Sequence, residues 1–166
     1  RVIDLLKAFK LLKKEIQNVS LLIVGSGPIE TELRQYCREN KLVDVLFMGF
    51  KQKDELLKYY ATAVIFVLPS SNEVWGLVIN EAMACGLPVI TTTQVGASGD
   101  IVKNGVNGYI IKPKDSEMLS KKILIILKND NIRRKMGQKS KELIKRWGIE
   151  EEVNGILNAI DFVQRK

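Results

Sequence analysis

Ile65-Phe66-Val67-Leu68-Pro69-Ser70-Ser71-Asn72-Glu73-Val74-Trp75-Gly76-Leu77-Val78-Ile79-Asn80-Glu81-Ala82-Met83-Ala84-Cys85-Gly86-Leu87-Pro88-Val89-Ile90-Thr91 holds the order of events that decides the fold. Residues 65–68 are apolar without interruption and stop at Pro69-Ser70-Ser71-Asn72. A short apolar run closed by turn residues reads as a strand buried on both faces. From about Gly76 to Cys85 the apolar positions recur at helical spacing, and Gly86 ends the run. A second apolar strand follows at 88–91. Strand, loop, helix and strand in that order form a parallel crossover unit.

The same alternation extends outward in both directions. Toward the N-terminus the pattern predicts helix at 2–14, strand at 19–24, helix at 29–39, strand at 43–48, helix at 54–62 and strand at 64–68. Gly25-Ser26-Gly27-Pro28 closes the first of these strands and Gly49 the second. Toward the C-terminus it predicts a loop with a short helix at 96–102, a strand at 108–111, and helices at 116–128, 131–146 and 149–164. The predicted architecture is α/β: one open, Rossmann-like parallel sheet with right-handed crossovers, flanked by helices and ending in a helical tail. No repeat, low-complexity stretch or internal linker divides it.

Composition narrows the chemistry. The chain has 166 residues, 46% of them hydrophobic, enough for one domain with a full core. No run of eighteen apolar residues suggests a membrane span. Arg1-Val2-Ile3-Asp4-Leu5-Leu6 reads as an amphipathic helix already under way, not as a signal peptide, and its uncapped start suggests a trimmed chain. Cys37 and Cys85 are the only cysteines, too few for a disulfide framework, so a cytoplasmic setting is expected. Histidine is absent, which removes the commonest general base and zinc ligand. The formal charge is +7, with basic residues gathered in Lys121-Lys122 and in Arg133-Arg134-Lys135, Lys139, Lys141, Lys145 and Arg146. Two readings stand: the solvated faces of two helices, or a surface drawn to acidic membrane. Nucleic acid is not expected, because no aromatic residues interleave with the basic ones.

Ligands of such sheets bind beyond the carboxyl ends of the strands. Four loops qualify: 25–28, 49–53, 69–76 and 92–100. The first begins like a dinucleotide fingerprint, but Glu30 stands where a third glycine is needed. A tight turn into a helix with Pro28 at its first position explains it equally well. In the third loop Glu73 precedes the helix and Glu81 lies within it, with seven residues between them. At helical rise that separation is up to roughly 12 Å, too long for a glycosidase acid/base pair and suited to gripping two ends of one long ligand. The free N–H groups of the helix start at Gly76 and Leu77 suit a phosphate between them. Acidic residues that simply favour a helix start are the other reading of the spacing.

The stretch from Pro69-Ser70 through Glu81-Ala82-Met83-Ala84-Cys85-Gly86-Leu87-Pro88-Val89 resembles the E-x7-E region of a large retaining GT-B glycosyltransferase family. That family includes glycogen and sucrose synthases and many mannosyl- and glucosyltransferases. The resemblance covers nearly the whole chain. Leu21 to Pro28 is similar to the family's first glycine loop. Phe47-Met48-Gly49-Phe50, Leu56-Leu57 and Tyr59-Tyr60-Ala61 are similar to the segment before the E-x7-E strand, and Gly105, Gly108-Tyr109 and Pro113 to the segment after. The resemblance implies a donor-binding domain, residues 1–166, that lacks its first strand and works with an N-terminal acceptor domain. It implies that Glu73 contacts the hexose hydroxyls and is the catalytic candidate. It implies that Glu81 binds the ribose hydroxyls and that the Gly76 and Leu77 amides meet the diphosphate. Phe50 and Lys51 would meet the base through their main chain, and Gly25 belongs to the donor-binding set. The implied reaction moves a hexose from a nucleoside-diphosphate sugar to a lipid, glycan or small-molecule acceptor with retention. No metal or other cofactor is needed, since N–H dipoles and cations can meet the leaving-group charge.

The chain departs from the family in places. Gly96-Ala97 stands where the family usually has two glycines, which is compatible if Ala97 keeps a negative φ. Val64 stands where Asp is common. The family's diphosphate-binding Arg and Lys lie upstream, and Arg1 is not assigned that role. Three alternatives stay open: a nucleotide-sugar 2-epimerase of the same architecture, an NAD-dependent oxidoreductase suggested by Gly25-Ser26-Gly27, and a non-catalytic binding module.

Overall fold

The computed structural model describes residues 1–165. Its elements follow the order α1 (Val2–Leu12), β1 (Leu21–Val24), α2 (Glu30–Glu39), β2 (Val45–Gly49), α3 (Lys53–Thr62), β3 (Phe66–Leu68), α4 (Leu77–Ala84), β4 (Val89–Thr92), β5 (Gly108–Ile111), α5 (Ser116–Leu127), α6 (Asp130–Ile144) and α7 (Ile149–Gln164). Every strand pairing is parallel, as the apolar runs predict. The strands fall into two groups, β1–β2 and β3–β4–β5, where one continuous sheet was expected. Helix α1 joins the groups through a shared core. Its Leu5, Ala8, Phe9 and Leu12 cluster with Ile90 and Ile111 of the second group, and Leu21 and Val45 of the first pack against the same cluster.

Burial on both faces holds fully only for β4. Strands β1 and β3 are half-buried, because each pairs along one edge only among the described residues. The helices of the second group are set by caps and close approaches. Asp115 accepts from the Met118 amide at 2.8 Å at the head of α5, and Asn129 from the Ile132 amide at 3.0 Å at the head of α6. Helix α6 lies tight on the turn between α4 and β4. Gly137 stands where a Cβ would be 2.2 Å from the Gly86 carbonyl, and buried Ser140 donates to the Leu87 carbonyl at 2.7 Å.

Two local expectations are corrected. Residues 96–102 form turns and no helix. A single helical bond closes from the Ile101 amide to the Ala97 carbonyl, but Gly99 at φ +89 leaves helical space. The fully buried Asn107 takes over the bonding, accepting from the Lys103 amide at 2.7 Å and donating to the Ile101 carbonyl at 3.0 Å. Pro28 is not the first residue of α2, since the chain first makes a turn from Gly27 to Glu30. On α7, Ile149, Val153, Ile156, Leu157, Ile160 and Val163 form an apolar stripe, and none of its side chains is buried: Val153 and Ile160 are both 47% exposed, Ile149 80%.

Candidate functional site

The carboxyl ends of β1 and β2 carry Gly25, Phe50 and Lys51. Gly25 adopts φ +126 and its amide donates to the Gly49 carbonyl at 2.8 Å, so the two loops are joined. Phe50 is exposed. The Lys51 ammonium turns toward α3, 3.8 Å from the Glu55 carboxylate and 6.0 Å from the centroid of the Tyr59 ring.

The carboxyl ends of β3 and β4 carry the loop that holds Glu73. That loop is laid alongside residues 94–97. The Glu73 amide donates to the Gln94 carbonyl (3.1 Å), the Gly96 amide to the Glu73 carbonyl (3.0 Å) and the Ala97 amide to the Trp75 carbonyl (3.1 Å). The approach is so close that a Cβ at Gly96 would stand 1.9 Å from the Val74 carbonyl oxygen. Glycine is therefore required at position 96. Ala97 is buried and has no positive φ, so the missing second glycine costs the loop nothing. Buried Thr91 and Thr92 support the other side of the loop, with Thr91 donating to the Leu68 carbonyl at 3.1 Å.

Gly76 opens α4 in the left-handed region, φ 89, where a Cβ would also crowd Leu68 at 3.0 Å. The Ile79 amide turns back to the Gly76 carbonyl at 2.8 Å. The amides of Leu77 and Val78 have no partner inside the helix, as at any helix start. Only residues 77–81 follow the helical rise, so the straight-helix separation of roughly 12 Å does not describe Glu73 and Glu81. Glu81 lies in the second turn of α4, half-buried. Its Oε2 accepts a hydrogen bond from the Tyr60 hydroxyl at 2.8 Å. Burial first, and Glu81 second, push the Tyr60 phenol far above its ordinary range, so it stays a donor. Sequence reasoning matched Tyr60 to a family segment without giving it a role, and nothing in a 21-residue separation announces the contact. The Trp75 indole donates to Asn80 at 3.0 Å and packs on Trp147 with ring centroids 5.2 Å apart, a second pairing the spacing does not reveal. Among the described residues no cluster of three or more His, Cys, Asp or Glu could hold a metal ion.

The family model described as "Glycosyl transferases group 1" matches residues 1–143. The chain belongs to the group 1 glycosyltransferases. This glycosyltransferase chain is 32% identical over 145 residues to N-acetyl-alpha-D-glucosaminyl L-malate synthase of Bacillus anthracis, covering 87% of the chain and 37% of the synthase. It therefore spans well under half the length of that relative. Among solved structures it resembles the C-terminal domain of a group 1 glycosyl transferase, LpcC, from Francisella tularensis. The TM-score is 0.81 at 27% identity, covering 88% of this chain and 78% of that one. It also resembles S. aureus TarM (a point mutant in complex with Fondaparinux, alpha-GlcNAc-glycerol and UDP). There the TM-score is 0.87 at 25% identity, covering 95% of this chain and 32% of TarM. The fold of this glycosyltransferase chain is thus the Rossmann-like α/β domain of such enzymes, and no helix among the described residues is long and apolar enough to cross a membrane.

Proposed function

We propose that this chain is the donor-binding half of a retaining glycosyltransferase that moves a hexose from a nucleoside-diphosphate sugar to an acceptor hydroxyl. The observation that carries the reading is the loop from Glu73 to Gly76, clamped to residues 94–97 and opening directly into α4. It sets a carboxylate, free helix-start amides and a second carboxylate in sequence along the chain. Glu73 meets the sugar, the Gly76–Leu77 amides meet the diphosphate, and Glu81 meets the ribose. Phe50 and Lys51 offer main chain to the base, and Gly25 belongs to the adjoining rim. The UDP named in the TarM complex and the glucosaminyl group named in the synthase support a nucleotide-linked hexose. Charge developing on the leaving diphosphate is met by preorganised N–H dipoles, a contribution that needs no metal. A separate N-terminal domain binds the acceptor and forms the other wall of the cleft. The free thiols of Cys37 and Cys85 suit a reducing cytoplasm. The test is a thermal-shift panel of nucleoside diphosphates and their sugars on the full-length protein. A nucleotide-dependent rise in melting temperature supports the reading, and silence across the panel removes it.

A second feature bears on where the enzyme works. Between Ser116 and Arg146 stand ten basic and three acidic residues, a net +7 that equals the charge of the whole chain. Helices α5 and α6 thus concentrate the excess, and we propose that this surface rests on anionic lipid. Sedimentation with phosphatidylglycerol vesicles, but not with phosphatidylcholine vesicles, is the expected result. Equal partitioning to both would refute it.

A further inference from the structure

Glu81 is held by a residue of another element. Tyr60 lies in the last turn of α3, is only 9% exposed, and packs with Ala82 and Leu87. Its ring meets Phe66 of β3 edge-on, with centroids 5.9 Å apart at 60°. The phenol is therefore fixed by packing on β3, α4 and the turn that follows α4, and its hydroxyl ends 2.8 Å from Glu81 Oε2. Glu81 Oε1 has no hydrogen-bond partner among the described residues. A glutamate has three rotatable bonds, and a ligand that must freeze them loses affinity. Here one oxygen is already tied and the other is left to accept.

We infer that Tyr60 is a positioning residue for nucleotide recognition, holding the Glu81 carboxylate so that its second oxygen meets the cis-diol of a ribose. The inference rests on the donor-site reading of Glu81 above. The phenol does not touch the nucleotide. It acts as a neutral donor that orients the carboxylate without cancelling its charge, and burial keeps it protonated. Tyr60→Phe keeps the ring, its packing and its volume, and removes only the hydrogen bond.

The experiment is calorimetric titration of the full-length protein with UDP, GDP and ADP. The 2′,3′-dideoxy form of whichever binds is then titrated as well. Four proteins are compared: the unaltered protein, Tyr60→Phe, Glu81→Ala and the double variant. Melting temperatures verify that each is folded. The unaltered protein is expected to prefer the ribose form, and Glu81→Ala to lose that preference. Tyr60→Phe is expected to weaken the ribose form on the order of tenfold, about 1.4 kcal/mol, and to leave the dideoxy form unchanged. The double variant should match Glu81→Ala, because the tyrosine acts only through the carboxylate. Loss of affinity for both forms alike in Tyr60→Phe, or no loss for either, overturns the positioning role while leaving the role of Glu81 standing. A ribose preference that survives Glu81→Ala, or no binding by any of the three nucleotides, overturns the donor-site reading and the inference with it.

Discussion

Glu73 and Glu81 differ in what restrains them, and the difference predicts how each one fails. Glu73 is pinned through its main chain on both sides, amide to Gln94 and carbonyl to Gly96, while its carboxylate has no hydrogen-bond partner among the described residues. A carboxylate free to answer positive charge developing on a sugar strengthens its interaction at the transition state. In the full-length enzyme Glu73→Gln should lower kcat by on the order of 10²-fold. Glu81→Gln should mainly raise KM, since a ribose contact is the same in ground and transition states. Steady-state kinetics at saturating acceptor separate the two, and an unchanged kcat in Glu73→Gln would count against its catalytic role. Gly96 makes a steric prediction. Gly96→Ala drives a Cβ to within 1.9 Å of the Val74 carbonyl, so the loop bearing Glu73 must move. A loss of about 1–3 kcal/mol in denaturant unfolding is expected. Ala97→Gly, which relieves no clash at a buried position with ordinary φ, should cost about 0.4–1 kcal/mol rather than stabilise.

At the scale of elements, the start of α4 and the end of α6 are joined by Trp75 and Trp147, the only two tryptophans in the chain. On the donor reading, a diphosphate at the Gly76 and Leu77 amides would change the field beside Trp75. Nucleoside diphosphate should therefore shift or quench tryptophan emission, and Trp147→Phe should reduce the change. Emission that is indifferent to a nucleotide known from calorimetry to bind would remove this coupling. Helix α7 makes the opposite kind of prediction. It begins after its N-cap Gly148 and buries none of its side chains, so it adds little to the stability of what precedes it. Truncation after Gly148 should change the unfolding free energy by less than about 0.5 kcal/mol, the range of ordinary surface changes. A large drop in a circular-dichroism melt would mean that α7 docks on this domain in solution.

For the whole molecule, the donor reading predicts that residues 1–166 alone bind a nucleoside diphosphate weakly and transfer no sugar. Radiolabelled sugar appearing on any acceptor with this chain alone would show that the other wall is not needed. The element order and the parallel direction were legible in the sequence, because uninterrupted apolar runs such as Ile65 to Leu68, closed by turn residues, admit few other structures. That a loop carrying Glu73 leads into a helix start at Gly76 was legible for a similar reason, because these residues are neighbours in sequence. What the sequence left open depends on contacts between residues far apart along the chain. The Tyr60–Glu81 bond, the Trp75–Trp147 pair and the seat of Gly96 under Val74 each join separate segments whose spacing carries no period. The short helix predicted within the 96–102 loop does not form because Gly99 interrupts it and Asn107, from outside it, bonds to the backbone of Ile101 and Lys103 instead. Local pattern determined the elements of this protein. Tertiary packing decided which carboxylate is braced and which is free, because that outcome belongs to the side chain that arrives from another helix.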